Sequence, residues 1–452
     1  MARQTVLRTV GAALHDILDT NRTALYLFLT AFVLRMLFFA FMLGQVLPSE
    51  MAALSPDVRQ YMAVAYGLAG MESMNESALF VFGWGYPVFL WFCSYFVGFG
   101  PIWLILIQIV LSSLSSVLVY RVASELVDNE KTAIVAGYIA VISATSISLA
   151  NFLLSDTLFF FLFALGNLWF IKGLKTLSRK YFIMSGMVFA YAVCTRSMVQ
   201  FWPIAMILLL LVWPLLQSTA EKKERFRYLK IGFWAPLIVI IVMAAWMIRN
   251  NAVHDLPIMA FAGPHGIGKV IANAQGKTDG REMRDVQLQW YEEYRAETGK
   301  TDLSYKEIYE ITMAQGWRLF REHPGLLIGT YVRLAYENIV ADNELYFSQC
   351  PKYKDRIQSL LSVPRKKGYT KILFACALLG LVMLWSKYRM GAVYLSAIYL
   401  YVIVMVGFGQ WQGSRLFYPA MPAEAIFIAY FLVAGIELVN RKLLLRFLSI
   451  DR

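Results

Sequence analysis

The chain has 452 residues, 59% of them hydrophobic and only 16% charged, with a formal net charge of +12. Soluble domains run at roughly 45 to 50% apolar and 25% charged residues, so this composition excludes a soluble globular protein and describes a polytopic membrane protein. The surplus of Lys and Arg sits at the ends of apolar runs, where it orients spans and meets anionic lipid, which argues against nucleic acid as the partner.

Arg3, Arg8 and Arg22 precede the first apolar run, near 24 to 47. That run is too long for a signal-peptide core and no small-residue cleavage site follows it, so the sequence predicts a retained anchor. Next comes "SPDVRQYMAVAYGLAG", where Tyr61, Ala65 and Leu68 recur at helical spacing behind Asp57. An aspartate there serves either as a helix cap or as a chemical group, and the pattern leaves both open. The run near 79 to 98 is broken by Gly83, Gly85 and Pro87, so it either crosses or lies at the interface.

Further runs long enough to span follow near 102 to 121, 131 to 150, 157 to 173, 198 to 216 and 231 to 248, with a shorter one near 181 to 195. Asp156, in "LLSDTLFFFLF", stands at the junction of two of them, where a carboxylate is costly unless it pairs, binds a cation or faces an aqueous cavity. Arg196 in "CTRSMVQFWP" and Arg249 with Asn250 in "WMIRNN" end spans. Each alone is an ordinary snorkelling anchor.

The polar stretch from about 249 to 325 opens with His254 and with "GPHGIGKV", Gly263 to Val270, which contains His265. The resemblance to a phosphate-binding P-loop fails, because Val270 replaces the Mg²⁺-binding hydroxyl. The glycine-rich segment "AGPHGIGKVIANAQGKTDG" reads as an ordered, turn-laden loop. Behind it Ser304 and Glu307 form a capping box, with Ile308, Ile311, Trp317 and Phe320 on a mixed face and Pro324 as the stop. The run near 326 to 346 carries Arg333, Glu337 and Asp342, and its crossing is left open. Spans near 371 to 385, 391 to 408 and 417 to 437 complete the chain, with Arg415 in "QWQGSRLFYPAMP" and a basic "RKLLLRF" close to the end. The chain ends soon after its last span, so no separate carboxy-terminal soluble domain is expected. Cys93, Cys194, Cys350 and Cys376 show no metal or disulfide spacing.

The basic segments "KGLKTLSRK", "EKKERFRYLK" and "RKLLLRF" become cytoplasmic by the positive-inside rule. Counting spans from them puts Asp57, Asp156, Arg196, Arg249 and Arg415 together on the opposite face, provided that neither undecided run crosses. The seven basic residues between Lys352 and Lys371 dissent; if 326 to 346 crosses, Arg415 moves to the cytoplasm. Two carboxylates facing three guanidinium groups suggest a base with a partner, and a phosphate or pyrophosphate as the ligand.

These segments resemble the GT-C class of integral-membrane glycosyltransferases, in particular protein O-mannosyltransferases and the lipid A aminoarabinose transferase. "PDVRQYMAVAYGL" is similar to the first external loop, "GWGYPVFLWF" to the aromatic-proline segment after it, and "LLSDTLFFFLF" to the second acidic motif. "AAWMIRNNAVHDLPIMAFAGPHGIGKVIANAQG" resembles the Trp-x-x-Arg-Asn segment and its following loop, while "EHPGLLIGTYVRLAYE" and "GSRLFYPAMPAEAIFI" resemble the late motifs. Two departures stand: a single Asp57, between Pro56 and Val58, where the family usually shows a pair of acids, and Tyr86 where some relatives place a lysine.

The resemblance implies an all-α polytopic membrane protein, GT-C-like, of about 10 to 12 transmembrane helices with an extracytoplasmic loop domain. Its expected parts are a transmembrane module over 1–248 with a first external loop at about 48–100, a loop region with interfacial helices over 249–370, and final helices over 371–452. It implies transfer of a sugar from a polyprenyl-phosphate donor to a lipid, glycan or protein acceptor at the extracytoplasmic face of the cytoplasmic membrane, of the inverting type. Asp57 and Asp156 take the catalytic roles, Arg249, Arg415 and Arg196 the donor phosphate, and Tyr61, Tyr86, Asn250 and His265 the substrates. No cofactor is certain, with a divalent cation as an option. The alternative is a lipid-linked sugar flippase, which needs no catalytic carboxylate but should show repeats and broken helices at mid-membrane depth; the sequence shows neither.

Overall fold

A computed structural model describes residues 22–44, 56–217, 222–340, 369–409 and 412–450. Among them the chain is helical throughout, with only an isolated bridge between Gln412 and Ser414. Among the described residues eight helices are long and apolar enough to cross a membrane. In our numbering these are α1 (Arg22–Leu43), α5 (Pro101–Leu126), α8 (Ser155–Thr176), α10 (Trp202–Leu216), the joined pair α11 (Lys222–Gly232) and α12 (Trp234–His254), α17 (Tyr369–Lys387), α18 (Arg389–Val406) and α19 (Met421–Ile450). Two shorter apolar helices, α6 (Glu130–Ile142) and α9 (Arg179–Thr195), pack in the same bundle. Both fall short of the spanning length, so eight candidate spans stand among the described residues, against the expected 10 to 12.

The run near 131 to 150 is not one straight span. Ser143 breaks it, accepting a hydrogen bond from the backbone N–H of Ser146, and a second helix, α7 (Ala144–Leu149), starts there. A serine side chain that caps the new helix competes with continuation of the old one.

The two ends of the bundle are chemically different. At one end Lys175 of α8 pairs with Glu125 of α5 at 2.6 Å, Arg179 of α9 lies over the Trp234 ring of α12, and the Tyr388 hydroxyl donates to the Asp128 carbonyl. At the other end lie the start of α8, the end of α9, the end of α12 and the start of α19. Asp57, Asp156, Arg196, Arg249 and Arg415 are all at this second end.

Both undecided runs stay at that end. The first is a helix pair, α3 (Glu76–Phe82) and α4 (Gly85–Val97), bent by 117°. Gly83 makes the bend at φ 84°, a left-handed conformation that costs a residue with a Cβ. The second becomes α16 (Pro324–Ile339), which lies across the carboxy end of α18. Its Tyr331 hydroxyl donates to the Val404 carbonyl at 2.7 Å and Asn338 Nδ2 to that of Val406 at 3.1 Å. Thr370, at the start of α17, donates to the Val340 carbonyl at the end of α16. The run therefore returns to the face where it began and Arg415 keeps its side. The basic stretch from 352 lies outside the described residues up to 368, as do Asp342, Cys350 and Trp411.

The segment read as a turn-laden loop is a helix, α13 (Ala262–Asp279). Each interior glycine costs a helix about 1 kcal/mol relative to alanine, and packing offsets it. A Cβ on Gly268 would stand 2.9 Å from the Thr312 methyl, so the glycine lets α13 press against α15 (Tyr305–Glu322). Ile271, Ala272, Ala274, Val286, Trp290, Ile311 and Leu319 form a separate small core between α13, α14 (Met283–Thr298) and α15. The expected capping box is present in full: Ser304 accepts from the Glu307 amide, the Glu307 carboxylate accepts from the Ser304 amide, and Pro324 opens α16.

Candidate active site

Asp57 lies in the first turn of α2 (Pro56–Leu68) and Asp156 in the first turn of α8, where the free amide ends of a helix favour a negative charge. Arg196 caps the carboxy end of α9 in extended backbone, and Arg415 stands in the turn between α18 and α19. These four elements are far apart in sequence and meet at one point. Arg415 Nε donates to Asp156 Oδ2 at 2.8 Å and its Nη1 to Asp57 Oδ2 at 3.4 Å, while Arg196 Nη1 donates to Asp156 Oδ1.

The two carboxylates are not equivalent. The Asp156 side chain is wholly buried and both of its oxygens accept from a guanidinium. Asp57 keeps 28% of its side chain exposed and has one long contact. Asp156 thus holds the arginines in place, and Asp57 is the carboxylate open to an incoming group. Burial and the neighbouring Arg415 lower the pKa of Arg196 to about 9, still high enough to keep its charge at neutral pH.

Aromatic residues close the floor. The Tyr61 hydroxyl lies 3.3 Å from Ser155 Oγ, and burial followed by the Asp57 charge raises its pKa, so it stays protonated and able to donate. The Tyr61 ring meets Tyr86 edge to face at 4.8 Å. Tyr86 is buried; its hydroxyl donates to Gln108, whose amide donates to the Phe152 carbonyl at 2.6 Å. Tyr86 therefore braces the segment that leads into Asp156.

Other expected residues fall elsewhere. Arg249 pairs with Glu76 of α3 and lies over the Trp246 ring, outside the inner cluster. Asn250 is fully buried and donates to the Ile258 carbonyl at 2.7 Å, fixing the turn after α12. His254 stacks on Phe80. His265 is on α13 against Phe261, and its pKa is lowered by partial burial and by Lys269.

Lys269 is the residue that sequence reasoning missed. It follows His265 by one helical turn, and partial burial lowers its pKa while the Asp57 charge opposes the shift. Its ammonium thus shares the field of the cluster. The signal was the i, i+4 spacing, which is visible only once the segment is read as a helix. Both Asp156 oxygens are taken by Arg196 and Arg415, and among the described residues no three His, Cys, Asp or Glu side chains converge as a cation site.

Residues 81–246, little more than a third of the chain, match the family described as dolichyl-phosphate-mannose-protein mannosyltransferase. No curated protein matches the sequence. Among solved structures, the oligosaccharyltransferase AglB from Archaeoglobus fulgidus, in complex with an inhibitory peptide and a dolichol-phosphate, superposes with a TM-score of 0.54 at 11% identity, covering 95% of this chain and 52% of that one. The Archaeoglobus fulgidus oligosaccharyltransferase tethered to an acceptor peptide through a disulfide gives 0.53 at 12%, covering 94% and 51%. The chain spans about half the length of these structures. What they share with it at such identity is the fold, that of the GT-C class of membrane glycosyltransferases.

Proposed function

We propose that this chain, which has the fold of the GT-C class of membrane glycosyltransferases, transfers a sugar from a polyprenyl-phosphate-linked donor to an acceptor at the extracytoplasmic face of the cytoplasmic membrane. The observation that carries the reading is the single guanidinium of Arg415 bridging Asp57 and Asp156, with Arg196 on the far carboxylate oxygen. Asp57 accepts the proton of the acceptor hydroxyl or amine as that atom attacks the anomeric carbon. The bond from that carbon to the phosphate oxygen breaks, and the electron pair leaves with the lipid phosphate. Arg415, Arg196 and Lys269 stabilise the charge that develops there. One displacement of this kind inverts the anomeric centre.

The three cations exceed the two carboxylates by one charge, which favours an anionic ligand. Lys131, Lys172, Lys175, Arg179 and Lys387 lie at the opposite end of the bundle, and the positive-inside rule makes that end cytoplasmic. The solved relative bound to dolichol-phosphate supports a lipid-linked donor, and the two peptide complexes support a protein among the acceptors. Arg249 stands at the rim, held by Glu76, where it meets the carrier on entry.

The test is transfer of label from a radiolabelled polyprenyl-phosphate sugar by purified protein, wild type against Asp57→Asn. Label moving to acceptor or water, and lost in the variant, supports the reading. Label carried across proteoliposomes with no transfer replaces it with a flippase.

A further inference from the structure

Arg35 lies 13 residues into α1 and is completely buried. A guanidinium inside a membrane bundle is expensive unless each N–H is satisfied. Here every one is: Nε donates to Ser112 Oγ at 2.7 Å, Nη1 to the carbonyls of Ala31 at 3.0 Å and Val141 at 3.4 Å, and Nη2 to Ser116 Oγ at 3.4 Å and Ser146 Oγ at 2.7 Å. The five contacts reach α1, α5, α6 and α7.

The short helix α7 is what these bonds hold. Ser146 Oγ also accepts from the Tyr418 hydroxyl at 3.0 Å, and the adjacent Thr145 Oγ1 lies 2.9 Å from Ser414 Oγ. Ser414 and Tyr418 flank Arg415 on its two sides. At the other end of α7 the Leu149 carbonyl accepts from Thr157 Oγ1 at 3.0 Å, next to Asp156. One six-residue helix thus brackets the turn of Arg415 and the first turn of α8, and Arg35 is its buried support.

We infer that Arg35 is a positioning residue: by holding Ser146 it fixes α7 as the frame against which Arg415 is registered on Asp156 and Asp57. The consequence for turnover rests on the glycosyl-transfer reading; the mechanical link does not. The geometry of a reacting site is unforgiving, and a shift of about 1 Å costs up to about 100-fold in rate.

The test uses Tyr418→Phe, which cuts the link to Ser146 alone, and Ser146→Ala, which removes the acceptor shared by Arg35 and Tyr418 but leaves the guanidinium its other partners, beside Arg35→Gln. A Thr145→Cys, Ser414→Cys pair reports the bracket without reference to activity. The inference expects disulfide yield between these positions to fall severalfold in all three variants. It also expects kcat to fall about tenfold or more, with donor KM nearly constant and the melting temperature of Ser146→Ala and Tyr418→Phe lowered by far less than that of Arg35→Gln. On an Arg415→Lys background the same substitutions should cost nothing further, since the register they protect is already lost. Unchanged cross-linking, or losses that multiply on the Arg415→Lys background, overturns it. If the wild type transfers no sugar, the functional reading falls and the cross-linking alone decides the role of Arg35.

Discussion

Arg415 and Asp156, 259 positions apart, are joined by a 2.8 Å hydrogen bond from Nε to Oδ2, and the same guanidinium reaches on to Asp57. That bond closes the bundle, since it ties the turn before the last helix to the start of α8. It also sets the two carboxylates apart, Asp156 being enclosed and Asp57 partly exposed.

Asp57→Asn should leave expression and melting temperature unchanged and lower kcat by about 10²- to 10⁴-fold, the usual worth of a general base. Asp156→Asn should behave differently. It leaves two nearly buried guanidinium groups short of their counter-charge, so stability falls by about 3 kcal/mol as well as activity. Thermal melts in detergent beside single-turnover rates separate the two; equal stability losses would mean that the carboxylates share one role.

Lys269→Met should raise the donor KM about tenfold, the worth of one charge-assisted hydrogen bond, with a smaller effect on kcat. Because partial burial lowers the Lys269 pKa, its charge is lost at a lower pH than that of an ordinary lysine. Donor KM should therefore climb on the alkaline side, and Lys269→Arg should move the climb to higher pH. A KM–pH profile identical in the two proteins would remove Lys269 from the site.

The capping box of α15 gives a pH signature outside the membrane. Hydrogen bonds from Lys300 and then from Ser304 hold the Glu307 pKa at about 2, against 4.5 unperturbed. A depressed carboxylate stabilises the fold above its unfolded pKa, so the contribution is complete above about pH 4.5 and disappears as pH falls through about 2. Ser304→Ala should cost about 1 kcal/mol at neutral pH. Hydrogen exchange of the first turn of α15 reads both effects.

The topology predicts which side each loop faces. A cysteine placed at exposed Thr301 should react with an impermeant maleimide added to intact cells, and one at exposed Lys131 only after permeabilisation. Cys93 and Cys194 are buried, which keeps their background low. The reverse pattern would place the candidate site in the cytoplasm.

The amino-acid sequence by itself determined most of the long apolar helices, the break at Gly83 to Pro87, the capping box at Ser304 and, on condition that neither undecided run crosses, the face shared by Asp57, Asp156, Arg196 and Arg415. These follow from local quantities: the length of an apolar run, the conformational freedom of a glycine, the reach of a serine side chain, the sidedness of charge. Only the tertiary structure decided who pairs with whom. Arg249 ended a span just as Arg196 did, yet Glu76 takes it at the rim while Arg196 reaches Asp156. The helix of Lys269 was hidden because its glycines oppose helix formation locally, and the contact with Thr312 that offsets them is 44 residues away. In sequence Arg35 is a single charge inside an apolar run; its five acceptors lie on four helices, and a buried charge is tolerated only where such distant groups converge.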